Sequence, residues 1–304
     1  PRLHFQSVLF AGNGSGASST QSITLGGDSD MQPDLVWFKK RDGAEDHELF
    51  DSIRGVQKAL DSNNNNAEAT GRGLTAFNSN GFTVGNGTDS GNQGATNEIN
   101  KNFVCWCWKA GGSASSDSNG DITSSVSANT TAGFSIVSYT GNASSNQTVG
   151  HGLGGVPQMI ISKNRDNTST NYNDWIVYHH SNATANDTKL KLNTTDDASS
   201  TNEWGDTDPT STVYSVHSSG DGATNDGTDK IISYCFRSIK GFSKIGKYQA
   251  NDTDTTAAGG GAPFIYTGFR PAFIMIKRAG GAQSWCLYDD RRGGNDENPP
   301  LEAE

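Results

Sequence analysis

The stretch that decides the fold is "PDLVWFKKRD" at residues 33–42, because the chain says nearly the same thing again in "PQMIISKNRD" at 157–166. Each begins with Pro and a polar or charged residue, runs through apolar positions to a Lys, and closes on Arg-Asp. A third copy, "PAFIMIKR" at 271–278, aligns Pro33 with Pro157 and Pro271, and Lys39 with Lys163 and Lys277. Repeats this far apart are domain-sized units, unlike the short repeats of solenoids.

The neighbouring residues follow the same order in every copy. Upstream lie "SVLFAGNGS" (7–15), "FSIVSYTGNAS" (134–144) and "FSKIGKYQAND" (242–252). Downstream lie "HELFDSIRG" (47–55), "DWIVYHHSN" (174–182) and "SWCLYDDRRG" (284–293). Asp51, Arg54 and Gly55 match Asp289, Arg292 and Gly293, whereas the middle copy has His179 in place of the Asp and so lacks the D-x-x-R-G feature. A late strand, "NFVCWCWKAGG" (102–112), has its counterpart in "KIISYCFRSIKG" (230–241), which sets Cys107 opposite Cys235 and Trp108 opposite Phe236. The third copy stops before such a strand. The expected organisation is therefore two full units, 1–128 and 129–240, and a partial unit, 241–304, with the Ser/Thr/Asn-rich segment 113–132 as the boundary between the first two.

Short aromatic and β-branched runs broken by Gly, Asn, Asp and Ser turns predict an all-β fold of tandem antiparallel β-sandwich units with long polar loops. "FSIVSY" and "DWIVYH" alternate with period two, the signature of strands with two different faces. "LVWF" and "FIMI" are apolar throughout, which predicts central strands covered on both sides. With 37 Gly in 304 residues and few long-chain helix formers, helices have little to grow from.

A net charge of −10 and a pI near 5.0 exclude a nucleic-acid protein, since phosphate neutralisation needs clustered Lys and Arg. No run approaches the roughly 20 apolar residues that span a bilayer, so no membrane insertion is expected. Four cysteines are too few for a disulfide framework. Cys105 and Cys107 alternate on one strand face and read as buried thiols.

No residue set satisfies a catalytic pattern. "GxSxG" is absent, the adjacent acids Asp196–Asp197 and Asp289–Asp290 diverge, and His179 and His180 should point to opposite faces of a strand. The chain is therefore read as a non-enzyme. Asp51–Arg54 and Asp289–Arg292 can bind a ligand, or can pair to hold a strand-end turn with Gly at positive φ; the second reading is favoured. The repeated Lys reads as a strand-end charge meeting solvent. Trp204, in the polar "TNEWGDTD", is the tryptophan expected to be exposed and free to stack on a sugar. Oxygen donors recur at Asp117, Asn119 and Asp121 and at Asp221, Asp226 and Asp229, with "NDTD" at 251–254; these suit a calcium cage or ordinary turns, and no other cofactor is implied.

As a set, "FSIVSYTGN", "GLGGVPQMIISKNRD", "DWIVYH", "YCFRSIKGFSKIGKY" and "YTGFRPAFIMIKR" resemble the repeated domain of tail-fibre and other virion structural proteins of marine bacteriophages, cyanophages included. The resemblance covers essentially the whole chain and is strongest over 134–304. It implies a β-sandwich module, lectin-like in character, carried on an external virion appendage, and it transfers no catalytic residues. The Asn-rich insertions and the truncated third unit depart from its pattern. The expected function is attachment to a host-surface glycan by weak multivalent contacts, with the chain assembled as a homo-oligomer, a trimer, among other virion proteins. A capsid decoration protein without receptor role, or a glycan depolymerase, are the alternatives.

Overall fold

The computed structural model describes residues 3–14, 19–27, 29–85, 94–166, 173–182, 184–218, 224–251, 263–292 and 301–302. Its strands are joined by antiparallel ladders, with one short 3-10 turn at Ala185–Asp187. In the first unit these are β1 (Phe5–Ala11), β2 (Thr20–Ile23), β3 (Leu35–Lys40), β4 (Glu48–Asp51), β5 (Lys58–Asp61), β6 (Ala69–Thr70), β7 (Leu74–Asn78), β8 (Gly81–Gly85) and β9 (Asn102–Trp108). They form a six-stranded sheet in the order β1-β9-β3-β4-β5-β6 and a small sheet β2-β8-β7.

The second unit repeats the plan with β10 (Ser115–Asp117), β11 (Ser124–Asn129), β12 (Phe134–Thr140), β13 (Gln147–Gly150), β14 (Met159–Asn164), β15 (Ile176–His179), β16 (Thr188–Lys191), β17 (Ser199–Ser200), β18 (Val213–Val216) and β19 (Lys230–Phe236). Its large sheet runs β10-β11-β12-β19-β14-β15-β16-β17, and β13-β18 is the small one. The third unit contributes one sheet, β20 (Phe273–Ile276), β21 (Cys286–Asp289) and β22 (Leu301–Glu302).

Period-two alternation explains the cores, because successive side chains of a strand enter different layers. Val36 and Phe38 of β3 pack with Cys105 and Cys107 of β9 against Phe82 and Val84 of the small sheet, closing the first sandwich. Val137, Ile160, Ile231 and Cys235 do the same against Val149, Tyr214 and Val216 in the second. The alternate residues point the other way. Leu35, Trp37, Val104 and Trp106 of the first unit, Ile136, Ile161, Trp175 and Tyr234 of the second, and Trp285 and Leu287 of the third meet in one shared core. The two large sheets and the third unit's sheet thus turn their inner faces toward each other, and "LVWF" is apolar throughout because its two faces serve two different cores.

Three expectations change here. The unit boundary falls before β10 rather than at 128/129: β10 and β11 extend the second unit's sheet through the β11–β12 ladder, with Ser115 and Ser116 exposed on the edge strand β10 and Ser124 and Ser127 of β11 buried. "FIMI" is not covered on both sides either. Ile274 is exposed, because the third unit has a single layer among the described residues and β20 pairs only with β21. The histidines do not diverge, since His180 lies past the end of β15; the two rings stack at 5.4 Å.

A shared inner core ties the units into one cooperative block, and thermal unfolding is expected as a single calorimetric transition rather than separate ones for each unit. Trp106→Ala, at the centre of that core, is expected to cost about 3–5 kcal/mol by chemical denaturation. A second transition that survives in this variant would show the units to be energetically independent.

Candidate functional site

The repeated polar residues converge where the units meet. Asp51 ends β4 on the inner face, and its Oδ1 accepts the backbone N–H groups of Ile53 (3.1 Å) and Arg54 (2.8 Å). Its Oδ2 accepts Nε of Arg54, whose Nη2 donates to the Leu49 carbonyl at 2.8 Å. Gly55 follows with φ +90°, a conformation that glycine alone adopts freely, and donates its N–H to the Asp51 carbonyl. Asp289 and Arg292 repeat the arrangement: Nε to Oδ2 at 2.5 Å, Nη2 to the Leu287 carbonyl at 2.8 Å, and the N–H groups of Arg291 and Arg292 on Oδ1. Gly293 lies outside the described residues. Both pairs are buried, so each charge is held by its partner and by backbone rather than by water.

Each Asp also accepts a bond from the next unit. The Tyr234 hydroxyl of β19 donates to Asp51 Oδ2 at 2.8 Å, and Trp106 Nε1 of β9 donates to Asp289 Oδ2 at 3.2 Å. Tyr234 and Trp106 hold the same place in their late strands, opposite Ile161 and Trp37 of the central strands. The turn thus fastens an aromatic ring of the neighbouring unit, which an apolar inner face could not satisfy otherwise.

Two further pairs of contacts repeat the pattern. Trp175 Nε1 donates to the Asp61 carbonyl of the first unit at 2.8 Å, and Trp285 Nε1 to the Lys191 carbonyl of the second at 2.7 Å. The repeated Lys follows suit, with Lys163 Nζ reaching the Asn65 carbonyl and Lys277 Nζ the Thr194 carbonyl, both at 3.4 Å. Lys163 is not a charge meeting solvent, whereas Lys39 and Lys277 are half-buried and Lys39 Nζ donates to the Glu45 carbonyl of its own unit at 2.9 Å. Lys163 is 0 % exposed, and burial lowers its pKa to about 7, against a smaller opposing pull from Asp174 and Asp61. Arg165 of "SKNRD" grips Glu68 of the first unit through Nε (2.9 Å) and Nη2 (2.8 Å). Burial works against ionisation of Glu68, but the hydrogen bonds from Arg165 and the charges of Arg54 and Arg165 outweigh it and hold the carboxyl below its usual range.

The remaining sequence candidates do not gather. Trp204 is not exposed: at 1 % exposure it packs edge-on against Tyr178, 5.7 Å between centroids, in the second sandwich core. Its polar neighbours mislead because the chain around it is a turn that folds a single large ring inward. Asp117 Oδ1 accepts the backbone and side-chain N–H groups of Asn119 (2.9 and 2.8 Å), and Asp121 Oδ2 accepts from Thr148 (N 3.1 Å, Oγ1 2.8 Å). Asp229 is buried with Oδ2 on Asn164 Nδ2 (2.9 Å), and its N–H donates to the Asp226 carbonyl; burial, then the Asp229 charge, raise the Asp226 carboxyl. Asp221 and residues 252–254 lie outside the described residues. Among the described residues no three His, Cys, Asp or Glu side chains come together as a metal site. The four cysteines are free thiols, three of them buried, and burial pushes Cys105, Cys107 and Cys235 up.

What sequence reasoning missed is a surface. Two shallow depressions, of about 440 and 390 Å³, flank β10, β11 and β12. The first is lined mainly by hydroxyls, Ser116, Thr123, Ser125 and Ser138 among them; the second includes Ser113, Asp117 and Asn119. The Ser/Thr richness of 113–132 was the available signal.

The fold and its interlocks define a class: an all-β protein of repeated antiparallel units closed around a common core. The chain belongs to the family described as a domain of unknown function, DUF7483, whose family model matches residues 1–302. No curated protein and no solved structure matches it.

Arg54→Met would strand the buried Asp51 carboxylate and is expected to lose about 3–5 kcal/mol of stability, against under about 0.5 kcal/mol for Asp117→Ala in its exposed turn. Equilibrium denaturation of the two variants checks the contrast. Lys163 sets a pH dependence of known sign. Its folded pKa lies below the unfolded value of 10.5, so between about pH 7 and 10.5 the unfolded chain binds the extra proton and stability contributed by this group rises with pH. Relative to Lys163→Met, the wild type is expected to gain stability between pH 7 and 9.5, measured as the difference in denaturation midpoints.

Proposed function

We propose that the protein is a structural component of a bacteriophage virion, part of a tail fibre or similar external appendage, which touches a host-surface glycan through many weak contacts. The observation that carries this reading is the division of labour between residues. Those repeated between units, Asp51, Arg54, Lys163, Asp289 and Arg292 with Trp106, Trp175 and Tyr234, are spent on holding the units together. The hydroxyl-rich segments that differ between units make the surface, where they line the two depressions beside β10–β12. A rigid carrier with a polar, adaptable exterior suits a virion part. The motif resemblance to marine phage virion proteins supports the same reading. Assembly as a homotrimer would multiply a modest affinity per site without any single strong one.

Binding is favoured over cleavage by the linings. Hydrolysis of a glycosidic bond asks for two carboxyl groups facing one groove, and Asp117 is the single acid among the residues lining the two depressions. Capsid decoration without receptor contact is the reading in which the same surface has no ligand.

The test is retention of the purified protein on polysaccharide fractions of the host envelope, with reducing ends assayed in the supernatant. Retention without sugar release is expected, weakened several-fold in Asp117→Ala while thermal stability stays unchanged. Released oligosaccharide would overturn the adhesive reading in favour of a depolymerase. Absence of retention, with antibody labelling on the head, would overturn it in favour of decoration.

A further inference from the structure

One pair of acids lies where charge is hardest to keep. Glu48 of β4 stands directly opposite Asp61 of β5. The neighbouring Leu49–Leu60 pair enters the shared core, so by strand alternation the acids face the other way, toward the first unit's own sandwich. Glu48 is 0 % exposed, and Asp61 is buried beside it. Among the described residues, neither oxygen of Glu48 accepts a hydrogen bond, and nor does Oδ1 of Asp61. Arg72 brings Nη1 to 3.3 Å from Glu48 Oε1, and Asn64 Nδ2 donates to Asp61 Oδ2 at 3.2 Å.

The other charges around the pair are mixed. Asp46, from the turn before β4, acts on both acids, and Lys163 of the second unit acts on Asp61. His47 is buried and stays neutral, since burial and then the charge of Lys39 on β3 lower it to about 3. Like charges directly opposite in a ladder repel, and a carboxylate without donors is costly to bury. Burial first, then the charge of Asp61, pushes the Glu48 carboxyl up to about 8, and burial raises Asp61 as well.

We propose that Glu48 and Asp61 keep one proton between them in the folded protein, and that its loss loosens the seam between the first and second units. Asp61 couples the two events. It ends β5 and opens the segment 61–68, which holds the second unit at several points. The Asp61 carbonyl accepts Trp175 Nε1 at 2.8 Å, the Asn65 carbonyl accepts Lys163 Nζ at 3.4 Å, and Glu68 accepts both bonds from Arg165. Glu48 is enclosed within the sheet, whereas Asp61 stands at a strand end. Repulsion between two carboxylates therefore acts on the segment that bears the seam. Lys163 adds to the effect: burial lowers it to about 7, so over the same range Asp61 loses the cation that faces it from the second unit.

The sign follows from proton counting. In the unfolded chain both acids lose their protons near pH 4, so from about pH 5 to 8 the folded chain binds the extra one. The stability contributed by the pair falls as pH rises through that window. The inference stands on buried geometry and is independent of the virion reading.

The test is amide hydrogen exchange of the whole protein, expressed as protection factors at about pH 6 and about pH 9 so that the intrinsic rate cancels. Protection over 61–68 and 175–177 is expected to fall about tenfold or more between the two, with β12 and β19 unchanged. Glu48→Gln keeps the shape but has no proton to lose, and its fall is expected to stay under about twofold. Lys163→Met is expected to keep most of the wild-type fall. Carbon-13 carboxyl shifts of the wild type, which need no variant to fold, are expected to show one of the two acids titrating above about pH 7. Constant protection in the wild type, or an equal fall in Glu48→Gln, would overturn the switch. A fall that vanishes in Lys163→Met would overturn the acid pair as its source in favour of that lysine. Titration of both acids below about pH 5 would overturn the shared proton.

Discussion

Everything in this molecule depends on an aromatic ring with a polar hydrogen being pressed into an apolar core. Trp106, Trp175, Tyr234 and Trp285 supply much of the area that holds three inner sheets together, and each brings an N–H or O–H that is costly to bury unbonded, a cost that Trp37 Nε1 in the same core does carry. For those four the acceptor comes from a neighbouring unit: a carboxylate for Trp106 and Tyr234, a backbone carbonyl for Trp175 and Trp285. The buried Asp then needs its own compensation, which Arg54 and Arg292 give from three residues along the same turn. Hydrophobic burial drives the units together, and this chain of satisfied polar groups fixes how they meet.

That constraint gives D-x-x-R-G a meaning that its spacing alone could not. The motif is present where a late-strand ring arrives, at Asp51 and Asp289. It is absent at His179, where no described ring does. There burial and the neighbouring His180 lower the imidazole to about 4, keeping it neutral on the inner face in place of a carboxylate and its guanidinium. The motif and the late strand behave as two halves of one joint.

Much of this was legible beforehand. Three aligned copies of the central phrase, most of the flanking strands and the paired late strands were visible in the residues, whereas "FSKIGKYQAND", expected as the third upstream strand, forms no strand over its described residues 242–251. The Asp–Arg turn with a positive-φ Gly55 was also readable, because both partners lie within one local stretch. Trp204, Lys163 and the segment 113–132 were misread for a common reason. Each sits in polar sequence, and local polarity predicts exposure only while the chain nearby lies on a surface. Trp204 is turned inward by its own loop, Lys163 is roofed by the Asn65 carbonyl of another unit, and 113–132 pairs with a strand that lies just beyond it in sequence.

By itself the sequence determined the kind of element, the number of copies and the faces of each strand, since alternation, turn residues and repetition are local properties of a chain. Only the tertiary structure decided what the faces meet. A strand that is apolar on both sides demands two coverings, but nothing in its residues says that one is a small sheet of its own unit and the other is two foreign sheets. The opening phrase, with its Lys39, Lys163 and Lys277, reads the same in all three copies. Its first and second copies are central strands locked on both edges, and its third is an edge among the described strands, because hydrogen-bond pairing depends on which strands are at hand and not on the strand that is paired.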